Sequence, residues 1–143
     1  ENGILELLED WPSGQPLDII GDGELSRQIQ QRLRSRPLLR LLGGMENDEV
    51  AVRLPRYEGL VFPSLCIENF PTVVAESLRA GTRVLAREGN AAADYLSDHT
   101  PPIGGTYAGA DELEVALLDV TKRGPELSAD CIRSFRAELG YAA

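Results

Sequence analysis

The amino-acid sequence predicts an α/β domain with a Rossmann-like, doubly wound parallel sheet. Short apolar segments alternate with amphipathic helical patterns along most of the chain, which is typical of parallel strands covered by helices. The apolar segments are nearly continuous rather than alternating with polar residues, as expected for strands buried on both faces. A chain of 143 residues is long enough to bury one hydrophobic core but not two.

Each element is predicted in turn from its apolar positions. A first helix is indicated by the helical spacing of Ile4, Leu7, Leu8 and Trp11 before Pro12-Ser13-Gly14. Five apolar runs are predicted as strands: LDII (17–20), LLRLLGG (38–44), GLVFPS (59–64), TRVLA (82–86) and IGGTY (103–107). Six further helices are predicted. Five are marked by apolar positions, one group for each helix: Leu25, Ile29 and Leu33; Val50, Leu54 and Tyr57; Val74 and Leu78, in a helix over 71–80; Leu113, Ala116, Leu117 and Val120; and Ile132, Phe135 and Leu139. The sixth is a short helix over AAADYL (91–96).

Composition and charge argue against several classes of function. The net charge of -9 does not suit a nucleic-acid-binding protein. No apolar run approaches the roughly 20 residues needed to span a membrane. Cys66 and Cys131 lack the spacing of a disulfide framework or metal site, which fits a reducing cytoplasm. The sequence has a single histidine, His99, which argues against a Ser-His-Asp site and against a multi-histidine metal centre.

The carboxyl ends of the predicted strands are where a ligand is expected. In open parallel sheets, ligands bind outside these ends, where loops run into helix N-termini. Four strand ends carry glycine or proline, in the segments IIGDG, LLGG, FPS and LAREGN. Within the first of them, Gly21 and Gly23 begin like a dinucleotide fingerprint, but Ser26 stands at the third glycine position. This segment is therefore a poor match to a phosphate cradle.

The stretch FPSLCIENFPTVVAES (62–77) has the strongest functional signal. Pro71 suits the first turn of a helix, with Asn69 or Phe70 as the expected cap. The N–H groups of Thr72 and Val73 would then be free at the positive end of the helix dipole.

Two interpretations of the flanking acids, Glu68 and Glu76, follow from spacing alone. In the simpler one, the charge of Glu68 stabilises the N-terminus of the helix, and Glu76 is a solvated surface residue. In the other, the free N–H groups bind a phosphate while the carboxylates accept hydrogen bonds from sugar hydroxyls.

The same stretch resembles the motif of two glutamates separated by seven residues in retaining glycosyltransferases of family 4, which have the two-domain GT-B fold. The likeness extends to LDIIGDGEL, LLRLLGG and VFPSLCIENFPTVVAESLRAGTRVLA, in the same order over most of residues 1 to 120. The resemblance implies that residues 1–143 are the C-terminal, nucleotide-sugar-binding domain, a fragment without the N-terminal acceptor domain.

The resemblance also implies roles for individual residues. Glu68 would contact the transferred sugar and is the catalytic candidate, while Glu76 would hold the ribose hydroxyls. The segment GDGELS would form a tight turn beside the nucleotide. The donor-binding residues implied in this way are Glu76, Asn69, Phe70, Pro71, Thr72, Val73, Gly21 and Gly23.

The function implied is transfer of a sugar from a nucleoside diphosphate, with uridine slightly favoured over guanosine, to a glycan or glycolipid acceptor. No metal and no cofactor are implied. The protein would be cytoplasmic, and the resemblance is compatible with peripheral membrane association of the full-length enzyme. Because the reaction of the GT-B fold occurs between the two halves, we expect the isolated fragment to be inactive.

The chain departs from the family pattern at its beginning. The family domain opens with a strand ending in Gly-Arg and a loop bearing Lys-Gly, whose cations neutralise the diphosphate. This chain lacks that strand and arginine, and Asn2 stands at the lysine position. An alternative function is therefore a non-catalytic nucleotide-sugar-binding or scaffolding module. A hydrolysing sugar-nucleotide epimerase, which shares the architecture, ranks lower.

The missing strand leads to a structural prediction. In a sheet of order 3-2-1-4-5-6, it would lie between 17–20 and 59–64. Since Glu1 is not a start methionine and a helix follows at once, we expect removal from a longer parent. The structure should then show a gap or a borrowed strand between 17–20 and 59–64, whereas direct pairing of these strands would contradict this expectation.

Overall fold

Strands and helices alternate along the part of the chain that the computed structural model describes, residues 3–65, 71–98 and 104–123, with the side chains of 121–123 left out. The elements in chain order are α1 (Ile4–Asp10), β1 (Leu17–Ile20), α2 (Ser26–Leu33), β2 (Leu39–Gly43), α3 (Asn47–Arg53), a 3-10 turn (Leu54–Arg56), β3 (Gly59–Phe62), α4 (Thr72–Arg79), β4 (Arg83–Arg87), α5 (Ala91–Asp98), β5 (Gly104–Tyr107) and α6 (Ala110–Arg123).

The five predicted strands and the helices between them are all observed, with ends within a few residues of the predicted ones. The predicted last helix, around 132–139, lies outside the described residues. The predicted extent of the third helix is wrong: the stripe of Val50, Leu54 and Tyr57 does not form a single helix. α3 ends at Arg53 because Pro55 has no N–H for the α-helical ladder, and a 3-10 turn follows. Tyr57 is consequently extended, with φ -89° and ψ 148°.

The strands form two separate parallel sheets. One contains β1 and β2, and the other has the order β3-β4-β5. In the described residues, β1 and β3 do not pair with each other. The predicted gap between 17–20 and 59–64 is thus confirmed.

Burial differs between the strands in a way that reflects this gap. β4 lies between two strands, and its three central residues Val84, Leu85 and Ala86 are all buried. In β1 and β3, all four residues of each strand are only half-buried, although six of these eight are large and apolar. β1 and β3 therefore each have a strand neighbour on one side only, and their other side faces the gap.

Two hydrophobic clusters hold the elements together. The larger cluster joins elements of both sheets, and its buried members are Leu7, Leu8, Trp11, Ile29, Leu39, Leu85, Tyr107, Leu113, Leu117 and Val120. The smaller cluster packs α4 and α5 against β4, and its buried members are Val74, Ala75, Leu78, Val84, Ala86, Ala92, Ala93 and Leu96. Because the first cluster spans the gap, packing through helices and not strand pairing connects the two sheets.

Helix α1 is held at both ends. At its C-terminus, the Arg36 guanidinium donates hydrogen bonds to the carbonyl oxygens of Leu8 and Trp11, which the helix itself cannot satisfy. In its first turn, Glu6 forms an ion pair with Arg87 at the end of β4. These contacts place the start of α1 at the carboxyl edge of the second sheet.

Candidate functional site

A cavity of about 1440 Å³ extends from the gap between the two sheets to the carboxyl ends of their strands. We call the part between β1 and β3 the slot; its apolar lining includes Trp11, Ile19, Leu60, Val61 and Leu85. We call the more polar end the cleft mouth. It is lined by residues that follow β1, β2 and β3 and by the start of α4, namely Gly21, Asp22, Gly44, Met45, Asn47, Pro63, Thr72, Val73 and Glu76.

The N-terminus of α4 opens onto the cleft mouth. Its cap is Pro71, in extended conformation with φ -72° and ψ 132°, and not Asn69 or Phe70 as predicted from the sequence. Proline suits this position because its fixed φ and missing N–H disturb no helical hydrogen bond there. The Pro71 carbonyl accepts hydrogen bonds from Val74 at 3.1 Å and from Ala75 at 3.3 Å.

The first two N–H groups of α4, those of Thr72 and Val73, have no acceptor in the part of the chain that the structure describes. Both residues line the cleft mouth, and the first turn contains no acidic residue. Free N–H groups at the positive end of the helix dipole attract an anion. This end of the cleft can therefore bind a phosphate.

Glu76 lies one turn further along α4, half-buried, and lines the same cleft mouth. It also borders a smaller cavity of about 300 Å³, whose other lining residues come from α3 and the end of α4. Among the described residues, the Glu76 carboxylate forms no ion pair. A half-buried carboxylate that is free to accept hydrogen bonds suits hydroxyl donors of a ligand.

The structure thus brings together four of the candidates, Gly21, Thr72, Val73 and Glu76, in one cleft. Pro71 caps the helix beside them. The remaining candidates in this segment, Glu68, Asn69 and Phe70, lie outside the described residues.

The turn after β1 has a local role that the sequence only partly indicated. Gly21 has a φ of +145°, in the region that favours glycine, and it lies in the lining of the cleft mouth. Gly23 is not in that lining, and its N–H donates to the Ser26 hydroxyl at 3.1 Å. Ser26, at the third position of the glycine fingerprint, therefore closes the turn and starts α2, which explains the poor match to a phosphate cradle.

The opposite side of the cleft mouth is formed by Asp22, Gly44, Met45 and Asn47, none of which the sequence singled out as a binding residue. The Asp22 carboxylate approaches Gly44 so closely that an added Cβ would lie 2.7 Å from its Oδ2 atom. Only glycine fits at position 44 without a shift of Asp22. The double glycine at the end of LLGG was the available signal for a close approach of two loops.

A charged network links β1, β2 and Tyr57, which follows the 3-10 turn. Arg40 donates to both carboxylate oxygens of Asp18, at 2.7 and 2.8 Å, and the Tyr57 hydroxyl donates to Oδ2 at 2.8 Å. Asp18 and Arg40 are paired in the register of β1 and β2. The hydrogen bonds from Arg40 hold the pKa of Asp18 below its usual value, and burial raises the pKa of Tyr57. Arg40 lines the cavity, but its charge is already matched by a carboxylate.

We expect Asp18→Asn to lower the free energy of unfolding by about 1–2 kcal/mol at neutral pH, since a charge-assisted pair with an exposed arginine is lost. Because the folded-state pKa of Asp18 is lowered, its stabilisation is complete above the ordinary value of 3.8 and disappears as pH falls through the lowered pKa. Urea titrations of both proteins at pH 7 and in steps below pH 4 measure the difference between their free energies of unfolding. If this difference were the same at every pH, the prediction would be contradicted.

Asn90 organises the turn between β4 and α5. Its side-chain amide donates to the carbonyl oxygens of Ser64 and Arg87, both at 2.8 Å, and its Oδ1 accepts from the Ala93 N–H at 2.9 Å. Neither Gly89 nor Asn90 lines the cavity, and the role observed for Asn90 is structural. Asparagine is a preferred helix cap, so its place directly before the three alanines that begin α5 was a signal in the sequence for this role.

Asn90→Ala should lower the free energy of unfolding by about 2–3 kcal/mol. Asn90 is 4% exposed, and loss of its side chain removes a helix cap and leaves two half-buried carbonyl groups without their donor. Chemical denaturation followed by circular dichroism measures the change. Asn90→Asp is the matched control, because it keeps the cap but removes the donor; it should fall between the parent and the alanine variant.

No helix within the described residues is long and apolar enough to cross a membrane. Across ranges 3–65, 71–98 and 104–123, no three side chains of His, Cys, Asp or Glu come together as a candidate metal site.

The sequence matches no protein-family model and no curated protein. Solved structures do resemble this one. The apo form of the lipopolysaccharide outer core galactosyltransferase WaaB superimposes with a TM-score of 0.71 at 17% identity, covering 92% of this chain and 39% of WaaB. Anabaena Alr3699/HepE, in complex with UDP, gives a TM-score of 0.72 at 16% identity, covering 94% and 40%.

A third neighbour is AviGT4, a glycosyltransferase involved in avilamycin A biosynthesis, with a TM-score of 0.60 at 15% identity and coverage of 96% and 46%. The chain therefore spans less than half the length of each of these proteins. At this level of identity, the likeness concerns the fold. The protein has a Rossmann-like α/β fold that matches one half of a GT-B glycosyltransferase structure.

Proposed function

We propose that this chain is the donor-binding, C-terminal domain of a retaining glycosyltransferase of family 4, and that it binds a nucleoside diphosphate sugar in the cleft mouth. The observation that carries the proposal is the convergence of the free N–H groups of Thr72 and Val73 with Glu76 in one cleft at the carboxyl ends of the strands. The fold shared with glycosyltransferases supports the same assignment.

The lining residues suggest how the donor lies. The diphosphate would accept hydrogen bonds from the start of α4, and the ribose hydroxyls would donate to Glu76. The base would then extend towards Met45 and Asn47 on the facing side. HepE is a neighbour in complex with UDP, which supports a uridine nucleotide as the first ligand to test.

Catalysis in the whole enzyme would be mainly electrostatic and positional. Binding of the departing diphosphate stabilises the charge that develops as the sugar leaves, and the cleft holds the sugar in line with the acceptor. Glu68 would contact the transferred sugar. The acceptor, a glycan or glycolipid, would be bound by an N-terminal half, so the 143-residue chain alone would bind donor without transferring sugar. The enzyme would work in the cytoplasm, with its acceptor bringing it to the membrane surface.

One observation favours a second function, a nucleotide-sugar-binding module without catalysis. Asp22 and Glu76 give the cleft mouth negative charge, while the arginines that line the cavity, Arg40 and Arg56, lie outside the mouth, and Arg40 is paired with Asp18. A diphosphate needs cationic partners for tight binding and for departure. If the full-length protein bound donor but transferred no sugar to any acceptor, this second function would be correct.

Titration of the isotopically labelled chain with UDP, GDP, NAD and inorganic phosphate, followed by amide chemical shifts, tests the proposal. We expect UDP or GDP to perturb residues 68–76 first, followed by Gly44 to Asn47, at concentrations where NAD and phosphate have no effect. Shifts confined to residues far from the cleft mouth at saturating nucleotide would show that the site is wrongly assigned.

A further inference from the structure

The three strand-to-helix segments that border the cleft mouth, residues 21–25, 44–46 and 63–71, contain no Lys or Arg in their sequence. Their acidic residues are Asp22, Glu24, Glu46 and Glu68. None of the described residues that line the mouth is Lys or Arg either. A phosphate in the mouth would therefore be attracted by the N–H groups of α4 but by no side-chain cation of this lining.

Among the described acids of these segments, Asp22 is the one that lines the mouth. Its carboxylate lies against the backbone of the facing segment: a Cβ added at Gly44 would be 2.7, 2.8 and 2.9 Å from its Oδ2, Cγ and Oδ1 atoms. Within the described ranges, this carboxylate accepts no hydrogen bond and forms no ion pair. Its negative charge is therefore not neutralised there and acts on whatever binds in the mouth.

A nucleoside diphosphate sugar and the free nucleoside diphosphate differ in the charge of the terminal phosphate. In the sugar-bearing form this phosphate is a diester with one negative charge, whereas in the free form it carries about 1.5 to 2 charges at pH 7. Transfer creates the difference. The bond between the sugar carbon and the phosphate oxygen breaks with its electron pair on the oxygen, while the acceptor hydroxyl bonds to the sugar and releases its proton.

The two sides of the mouth act differently on these two forms. The N–H groups of Thr72 and Val73 can donate to a phosphate of either form. The repulsion between the Asp22 carboxylate and the ligand increases with the charge of the ligand, so it opposes the free nucleoside diphosphate more strongly than the sugar-bearing form.

We propose that Asp22 is a specificity-determining residue that makes the cleft mouth favour the nucleoside diphosphate sugar over the free nucleoside diphosphate. Repulsion between its carboxylate and the doubly charged terminal phosphate weakens binding of the free nucleotide. The nucleotide that remains after transfer is therefore released readily, which leaves the cleft open to the next donor. This inference rests on the proposed function, because it concerns the ligand of the same cleft.

Calorimetric titrations with UDP, GDP and the methyl esters of their terminal phosphates test the proposal. Each ester keeps the nucleotide, removes the second terminal charge and contains no sugar. At pH 8 and about 0.1 M salt with EDTA, Asp22→Asn should raise the affinity for the free nucleotide about two- to fivefold, and that for the ester by a smaller factor. At about 1 M salt, where the Debye length is about 3 Å, both gains should disappear.

Glu24→Gln is the matched control. Glu24 is exposed in the same segment but does not line the cavity, so its substitution removes the same charge outside the mouth. Both affinities should then change by less than about twofold, because salt screens the more distant charge. Since the Asp22 side chain is exposed and holds no other described residue, Asp22→Asn should keep the melting temperature of the parent.

Two results would overturn the role of Asp22 and leave the proposed function intact. If the variant bound the free nucleotide and its ester with equal gains or with no change, Asp22 would not distinguish the terminal charge. If it lost affinity for both, Asp22 would accept a hydrogen bond from the ligand instead of repelling it. If the parent bound neither UDP nor GDP, the proposed function and this inference would both be wrong.

Discussion

Glu76→Gln is expected to weaken binding of UDP or GDP by roughly 10–150-fold. A hydrogen bond to a charged group contributes about 1.5–3 kcal/mol, and about 1.4 kcal/mol corresponds to a factor of ten. The Glu76 carboxylate lines the cleft mouth and has no ion-pair partner among the described residues, so its hydrogen-bonding capacity is available to a ligand. Glutamine keeps the shape of the side chain but removes its charge and one acceptor.

Isothermal titration calorimetry of the two proteins measures this loss. Glu114→Gln is the matched control, since Glu114 is exposed on α6 and does not line the cavity; its affinity should equal that of the parent. The melting temperature of Glu76→Gln should stay close to that of the parent, because the side chain is only half-buried. An affinity within twofold of the parent would remove Glu76 from the site.

Glu68→Gln distinguishes the two glutamates in the full-length enzyme. Because Glu68 is proposed to contact the sugar and not the ribose, its substitution should reduce turnover of the sugar donor more than affinity for the bare nucleotide. An equal loss of affinity for nucleotide and nucleotide sugar would contradict this division of roles.

The largest expected effect on stability is that of Trp11→Ala, which should lower the free energy of unfolding by about 3–5 kcal/mol. Trp11 is 5% exposed, belongs to the cluster that joins the two sheets, and donates its indole N–H to the Gln15 carbonyl at 2.8 Å. Truncation would remove this hydrogen bond and open a void beside the slot. A destabilisation below 1 kcal/mol would show that α1 does not pack as described.

The measurement should use urea denaturation followed by far-ultraviolet circular dichroism, because Trp11 is the single tryptophan and the variant loses its fluorescence. Trp11→Phe is the matched control. It keeps most of the aromatic contact and loses the N–H donor, so its destabilisation should be clearly smaller than that of the alanine variant.

Periodicity was sufficient to predict the order and type of the elements, because a parallel sheet requires near-continuous apolar strands between amphipathic helices. Errors arose where one residue overrode a pattern. Pro55 ended α3 within an apolar stripe that would otherwise continue, and Pro71 took the cap position itself. In both cases the proline backbone decided the local structure and the side-chain pattern did not.

The site was predictable only on the side with a continuous motif. Thr72, Val73 and Glu76 lie within a few residues of one another, so a helical geometry places them together. The facing residues, Asp22, Met45 and Asn47, come from two other strand-to-helix junctions, and their proximity depends on how three parallel strands align. The pairing of Asp18 with Arg40 was hidden for the same reason, since register between β1 and β2 cannot be read from either strand alone.

The division into two sheets also bears on the order in which the protein folds. Every strand pair in the described residues joins strands that are consecutive along the chain, so each sheet can form from local contacts, which favours rapid folding. The two sheets differ in when they are synthesised, because β3 begins roughly 40 residues after β1. At about 5–20 residues per second, β3 leaves the ribosome ~2–8 s after β1. β1 and β2 can pair in that interval, whereas the cluster that joins the two sheets needs residues of β4, β5 and α6 and forms only after they are synthesised.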